Sequence, residues 1–135
     1  MNIRPLDEKT LVSGQIRPDE VARLKESGVT MIVNNRPDGE EPGQPRASEI
    51  EAAAEAAGIA YRFVPIQRGI GPADVECMRE AIEAAEGKML AFCRSGNRSA
   101  LAWAVARREQ GASLDELQQA AARAGVDLSP VAHLL

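Results

Sequence analysis

The chain has 135 residues, with two cysteines, one histidine, one tryptophan, one tyrosine and two phenylalanines. That length fits one domain and leaves too little surface for a second core. A lone histidine excludes a multi-histidine zinc centre and leaves only His133 for a histidine-based hydrolase. The 16 basic and 20 acidic residues give a net charge of −4, and the lack of a basic tract or aromatic platform argues against a nucleic-acid stacking surface.

The first nine residues, Met1 to Lys9, hold no apolar signal core, and no run approaches the roughly 18 apolar residues of a membrane span. A cytoplasmic protein with reduced thiols is the expectation. Leu11–Ile16 reads as a weak first strand. Pro18-Asp19-Glu20 opens a helix, because proline and acids both suit a first turn, and Gly28 stops it. Val29–Val33 is a β-branched run, so a buried strand. Residues 34–45 hold three prolines and two glycines, which makes them a loop. Ser48 with Glu51 reads as the capping box of an alanine-rich helix ending at Gly58. Ile59–Pro65 is a further strand, and Gln67–Gly71 a loop. A helix starts at Pro72 or Ala73 and runs to about Glu86. Lys88–Phe92 is a short, nearly all-apolar strand. Cys93–Asn97 is a tight loop, and Arg98–Gln110 an amphipathic helix with Leu101, Trp103 and Val105 as core candidates. Ser113 and Glu116 cap a last helix to about Ala124. Strands alternating with helices imply a single α/β domain over residues 1–135, with a central, mostly parallel sheet of about four strands.

The chemistry concentrates at Phe92-Cys93-Arg94-Ser95-Gly96-Asn97-Arg98-Ser99. A strand delivers a cysteine into a loop that at once becomes a helix. Such a loop turns backbone N–H groups toward one point, and the helix N-terminus adds positive potential there. Both favour a thiolate at Cys93 and an anion beside it. Gly96 permits the tight path, Arg98 can hold two oxygens of an oxyanion, and Ser99 can donate to the thiolate. Arg94 and the backbone of Ser95, Gly96 and Asn97 support the ring. The plain alternative is a buried cysteine acting as a small hydrophobe.

These residues carry a resemblance. Cys-Arg-Ser-Gly-x-Arg is similar to the active loop of rhodanese-type sulfurtransferases. The chain as a whole resembles the phosphatase-like domain of beta-lactamase hydrolase-like proteins. The matching pieces are Val12-Ser13-Gly14-Gln15-Ile16, the run Asn34-Asn35-Arg36-Pro37-Asp38-Gly39-Glu40-Glu41, and the Cys93 loop. Together they span about residues 8 to 110, leaving 113–135 as a C-terminal helix and tail. The resemblance implies the fold of dual-specificity protein phosphatases, and it implies either phosphatase or sulfur-transfer activity.

Three features bear on that choice. Four residues separate Cys93 from Arg98, whereas cysteine phosphatases usually have one more. Gln67-Arg68-Gly69 stands where those phosphatases carry an aspartic acid that protonates the leaving oxygen, a role worth ~10²–10⁴ in rate. Phe92 stands where they have histidine. Sulfur transfer through a Cys93 persulfide needs no acid, and the residues favour it narrowly over a phosphatase; an anion-binding sensor domain without turnover is a third reading. Asp38, or Glu40 or Glu41, could supply the acid, although Asp38-Gly39 also makes a plain turn. Arg36 binds either those loop acids or the substrate anion. Arg68 could reach the anion, but a solvated arginine is favoured. Asp74 reads as a helix cap, Cys77 as a buried filler rather than a resolving thiol, Trp103 as core and His133 as a surface group. The expected ligand is a small anion, either a persulfide or thiosulfate with an acceptor thiol, or a phosphoester. No metal or organic cofactor is expected, and the oligomeric state stays open.

Overall fold

The computed structural model describes residues 2–135. Its elements in chain order are β1 (Arg4–Pro5), β2 (Thr10–Ser13), a 3-10 turn (Pro18–Glu20) leading into α1 (Val21–Glu26), β3 (Val29–Asn34), α2 (Ala47–Ala57), β4 (Ala60–Phe63), α3 (Pro72–Ala84), β5 (Lys88–Phe92), α4 (Asn97–Glu109), α5 (Leu114–Ala124) and a 3-10 turn (Ser129–Leu134). The sheet has five strands in the order β1-β2-β5-β3-β4. Four of them, β2, β5, β3 and β4, run parallel, and β1 pairs antiparallel with β2. The sequence suggests about four strands. The fifth is a two-residue edge strand, too short to show a period.

β5 lies at the centre because its neighbours bury both faces. Lys88-Met89-Leu90-Ala91-Phe92 is apolar after its first residue, as a strand covered on both sides must be. Alternation then divides it. Met89 and Ala91 join Val12, Met31 and Val33 under α3, α4 and α5. Leu90 and Phe92 join Ile32, Val21 and Ile50 under α1 and α2. Trp103 sits in the first of these cores, as its sequence context suggests, while Leu101 is only partly buried there.

Three local expectations need correction. The strand expected over Leu11–Ile16 is β2 and ends at Ser13, because the chain turns at Gly14, which packs against the Arg94 carbonyl of the Cys93 loop. Ser48 does not cap α2: the helix already begins at Ala47, and its free N–H donates to Asp38 Oδ1 at 2.7 Å. Cys77 is exposed on α3 rather than buried filler. The Asp74 reading holds, since its Oδ2 accepts from Gly71 N–H at 2.9 Å. Ser113 Oγ likewise accepts from Glu116 N–H. No helix among the described residues is long and apolar enough to cross a membrane.

Candidate active site

Parallel pairing brings the carboxyl ends of four strands to one edge. Ser13 and Asn34 both stand opposite Phe92, and Phe63 stands opposite Asn34. The loops that follow therefore converge there, as in other open parallel sheets. Pairing continues a little beyond the strands: Cys93 N–H donates to Ser13 O, Asn35 N–H to Phe92 O and Ile66 N–H to Asn35 O. Buried Asn34 and Asn35 lock the corner. Asn34 Oδ1 accepts from Arg36 N–H at 2.9 Å, and Asn35 Nδ2 donates to Val64 O at 3.0 Å.

Cys93 is fully buried at the end of β5. Gly96 N–H donates to its sulfur at 3.0 Å. Burial pushes the thiol up. Against that, the backbone N–H groups of Ser99, Ser95 and Gly96, together with the Ser99 hydroxyl, pull it below the ordinary thiol value. The Ser99 hydroxyl is itself buried, with no oxygen or nitrogen partner among the described residues. The loop can take this shape because Gly96 has a positive φ of 97°. A Cβ there would collide with the Arg4 guanidinium. Gly14 is needed for space instead: a Cβ on it would lie 2.8 Å from Arg94 O.

Arg98 reaches back from the first turn of α4. Its Nη1 donates to Glu40 Oε2 and to Ile66 O, and its Nη2 to Glu40 Oε1, all at 2.8 Å. The hydrogen bonds it donates to Glu40 raise the guanidinium's already high value, and so does the nearby Cys93. Glu40 is correspondingly lowered to about 2, first by the Arg98 hydrogen bond and then by Arg36. Arg36 is 3% exposed. It donates from Nε to Glu40 Oε1 at 3.0 Å, from Nη1 to Gln15 at 3.0 Å and from Nη2 to Glu41 Oε1 at 2.5 Å. Arg36 thus binds the loop acids, the first of its two expected roles.

The remaining candidates divide. Arg94 is largely exposed and lies 3.5 Å from Glu41, so it faces the rim. Ser95 and Asn97 are exposed, with Ser95 Oγ accepting from Asn97 N–H at the start of α4. Asp38 is held by the α2 N-terminus. Arg68 is exposed on the loop after β4.

Two contributors receive no role from the sequence. Arg4 donates to Ser95 O at 2.6 Å and to Ala124 O at 2.8 Å. It thereby holds the outer carbonyl of the Cys93 loop while its charge sits on the C-terminal end of α5, where cations are favoured. Gln15 supports Arg36. Both act across large sequence separations, and no local spacing marks them. The arrangement is a thiol held under backbone donors, beside an arginine fixed by the Glu40 carboxylate and the Ile66 carbonyl, at the carboxyl edge of the sheet. It can hold an anion and present a nucleophile to it.

Known proteins share both sequence and shape with this chain. A beta-lactamase hydrolase-like protein of Xylella fastidiosa (strain Temecula1) is 38% identical over 130 residues, which is 95% of this chain but 30% of that protein. The chain therefore spans less than a third of the length of that relative. A crystal structure of a Neisseria meningitidis protein provisionally called a phosphatase is 36% identical, covers 97% of this chain and 94% of its own, and superposes with a TM-score of 0.82. P. aeruginosa TpbA, solved as a Cys-to-Ser variant with phosphotyrosine, is 21% identical over 88% of this chain and 70% of its own, with a TM-score of 0.63; this likeness is one of fold. The family model for the beta-lactamase hydrolase-like protein, phosphatase-like domain, matches residues 2–112, and the chain belongs to that family.

Proposed function

We propose that the chain is a cysteine-dependent phosphatase acting on small anionic phosphate monoesters. The observation that carries this reading is Cys93 itself, hydrogen-bonded by the Gly96 N–H, lowered by backbone donors and set beside Arg98, within a fold shared with solved phosphatases. The Cys93 thiolate attacks phosphorus and the ester oxygen leaves with the bonding pair, taking a proton from water. A second water then attacks the phosphocysteine, and inorganic phosphate departs as the thiolate is restored. Backbone N–H groups of Ser95 to Ser99 and the Arg98 guanidinium bear the growing charge on the equatorial oxygens. Glu40 and Ile66 O hold Arg98 in place for this. We assign no general acid. Asp38 is engaged as the α2 cap, and the Gln67 amide, in the loop after β4, is too weak an acid to protonate a leaving oxygen. Turnover should therefore depend steeply on the leaving group, with 4-nitrophenyl phosphate cleaved at least ~10²-fold faster than phenyl phosphate.

A second reading has its own support. The four residues between Cys93 and Arg98 and the missing acid both suit sulfur transfer. There the thiolate attacks the outer sulfur of thiosulfate, sulfite leaves, and the Cys93 persulfide passes that sulfur to an acceptor thiol.

One experiment separates them. Wild type and Cys93→Ser are assayed side by side for phosphate release from 4-nitrophenyl phosphate and for sulfite release from thiosulfate with an acceptor thiol. Phosphate release by wild type alone supports the phosphatase. Sulfite release without phosphate release reverses the ranking. Bound phosphate with neither turnover would leave an anion-binding sensor.

A further inference from the structure

Beside the Cys93 loop, the same edge of the sheet carries a cavity of about 430 Å³. Two separate segments enclose it, the loop of residues 66–71 and the 3-10 turn Ser129–Leu134, with Arg98 and Leu101 of α4 as the wall between them. Ile66 and Val131 are buried, and Ile70 and Leu101 are partly so, which makes the interior aliphatic. Besides Gln67 and the Arg98 wall, two polar side chains border it, the exposed Arg68 from one segment and the exposed His133 from the other. Neither has a hydrogen bond or ion pair to another described residue. That sets Arg68 apart from Arg36, Arg94 and Arg98, which all meet Glu40 or Glu41. No acidic residue lines the cavity.

We infer that this cavity holds the organic body of the substrate whose anionic head sits at Cys93, and that Arg68 and His133 bind a second acidic group at the far end of that body. The inference rests on the anion site proposed above. Arg98 makes the two places neighbours, because its side chain interacts with Cys93 and also lines the cavity. The volume falls among ordinary small-molecule sites, and aliphatic walls with a few convergent polar groups are what such sites present. Apolar walls favour a ring or a methylene chain over a charged or heavily hydroxylated body. A guanidinium fork matches a carboxylate or phosphate, and an imidazole offers an N–H donor in either protonation state. The ligand class is a compact diacid with an apolar middle, such as an organic phosphate bearing a carboxylate.

The test uses three phosphonates that cannot be hydrolysed, so binding is read apart from turnover. Methylphosphonate, phenylphosphonate and 4-phosphonobenzoate are titrated calorimetrically into the wild-type protein. Phenylphosphonate should bind about tenfold more tightly than methylphosphonate, and the added carboxylate should tighten it about fivefold further. Arg68→Ala and His133→Ala should each reduce the carboxylate increment and leave phenylphosphonate unchanged. Leu134→Asp, at a residue exposed enough to leave the core intact, should remove the phenyl preference. Equal binding of all three ligands would overturn the inference while leaving the anion site standing. A carboxylate increment that is absent, or that survives in Arg68→Ala, would overturn the assignment of the second acidic group. Failure of every phosphonate to bind would overturn the anion site, and this inference with it.

Discussion

Cys93 shows how backbone donors lower a buried thiol with no base beside it. Burial in the core by itself pushes the thiol up, and the donors of the loop outweigh it and hold the thiol below its ordinary value. Ser99 contributes twice, through its backbone N–H and through its hydroxyl. Ser99→Ala keeps the first and removes the second, so the thiol should titrate at higher pH. The pH profile of iodoacetamide alkylation at Cys93 should move upward, with an unchanged plateau where the thiolate is complete. Glu40 gives the complementary test. Its folded value of about 2 lies below the ordinary 4.5, so it stabilises the fold above the unfolded value and loses that contribution as pH falls from about 5 toward 2. A shift of that size corresponds to about 3 kcal/mol, and partial exposure screens it to about 1–2 kcal/mol. Urea denaturation of Glu40→Gln should show that deficit at pH 7, with the gap from wild type closing on acidification.

Among the elements, the loop between β3 and α2 has two occupations. Its acids hold Arg36 and Arg98, while Asp38 reaches across to the first N–H of α2. Asp38→Ala should lower thermal stability by about 1 kcal/mol, and Asp38→Asn by less, because an amide oxygen can still accept. In both, the rate with 4-nitrophenyl phosphate should persist if the carboxylate serves only as a cap. This loop also marks where sequence reading stops. Strand β5, the Cys93 loop, α4 and the Ser113 cap are legible because hydrophobic period, glycine and capping residues are local signals. Ser48 misleads because a serine followed by glutamate mimics a cap, while the true one comes from nine residues upstream. Arg36 is ambiguous in sequence because its partners depend on how a loop folds back. Arg4 is invisible because its partners, Ser95 and Ala124, are 91 and 120 residues away.

The molecule as a whole is a sheet with a core on each face, and the site lies where both meet its carboxyl edge. Leu90 is fully buried on the α1 and α2 face, one residue from Ala91 on the other. Leu90→Ala should cost about 3 kcal/mol through the cavity it leaves. The single tryptophan, Trp103, is 3% exposed in the opposite core, so its fluorescence reads whether that loss is shared. A single cooperative transition, shifted to lower urea, is the expected result for a domain of this size. The Arg4 bridge has a consequence of a different kind. It fastens the edge strand β1 at once to the Cys93 loop and to the end of α5. When that short strand frays, the outer carbonyl of the loop and the last turn of α5 lose the same tether together. Amide exchange at Gly96 should then keep step with exchange at Val126, which closes α5 through Ala121 O, so that two distant amides report one local opening.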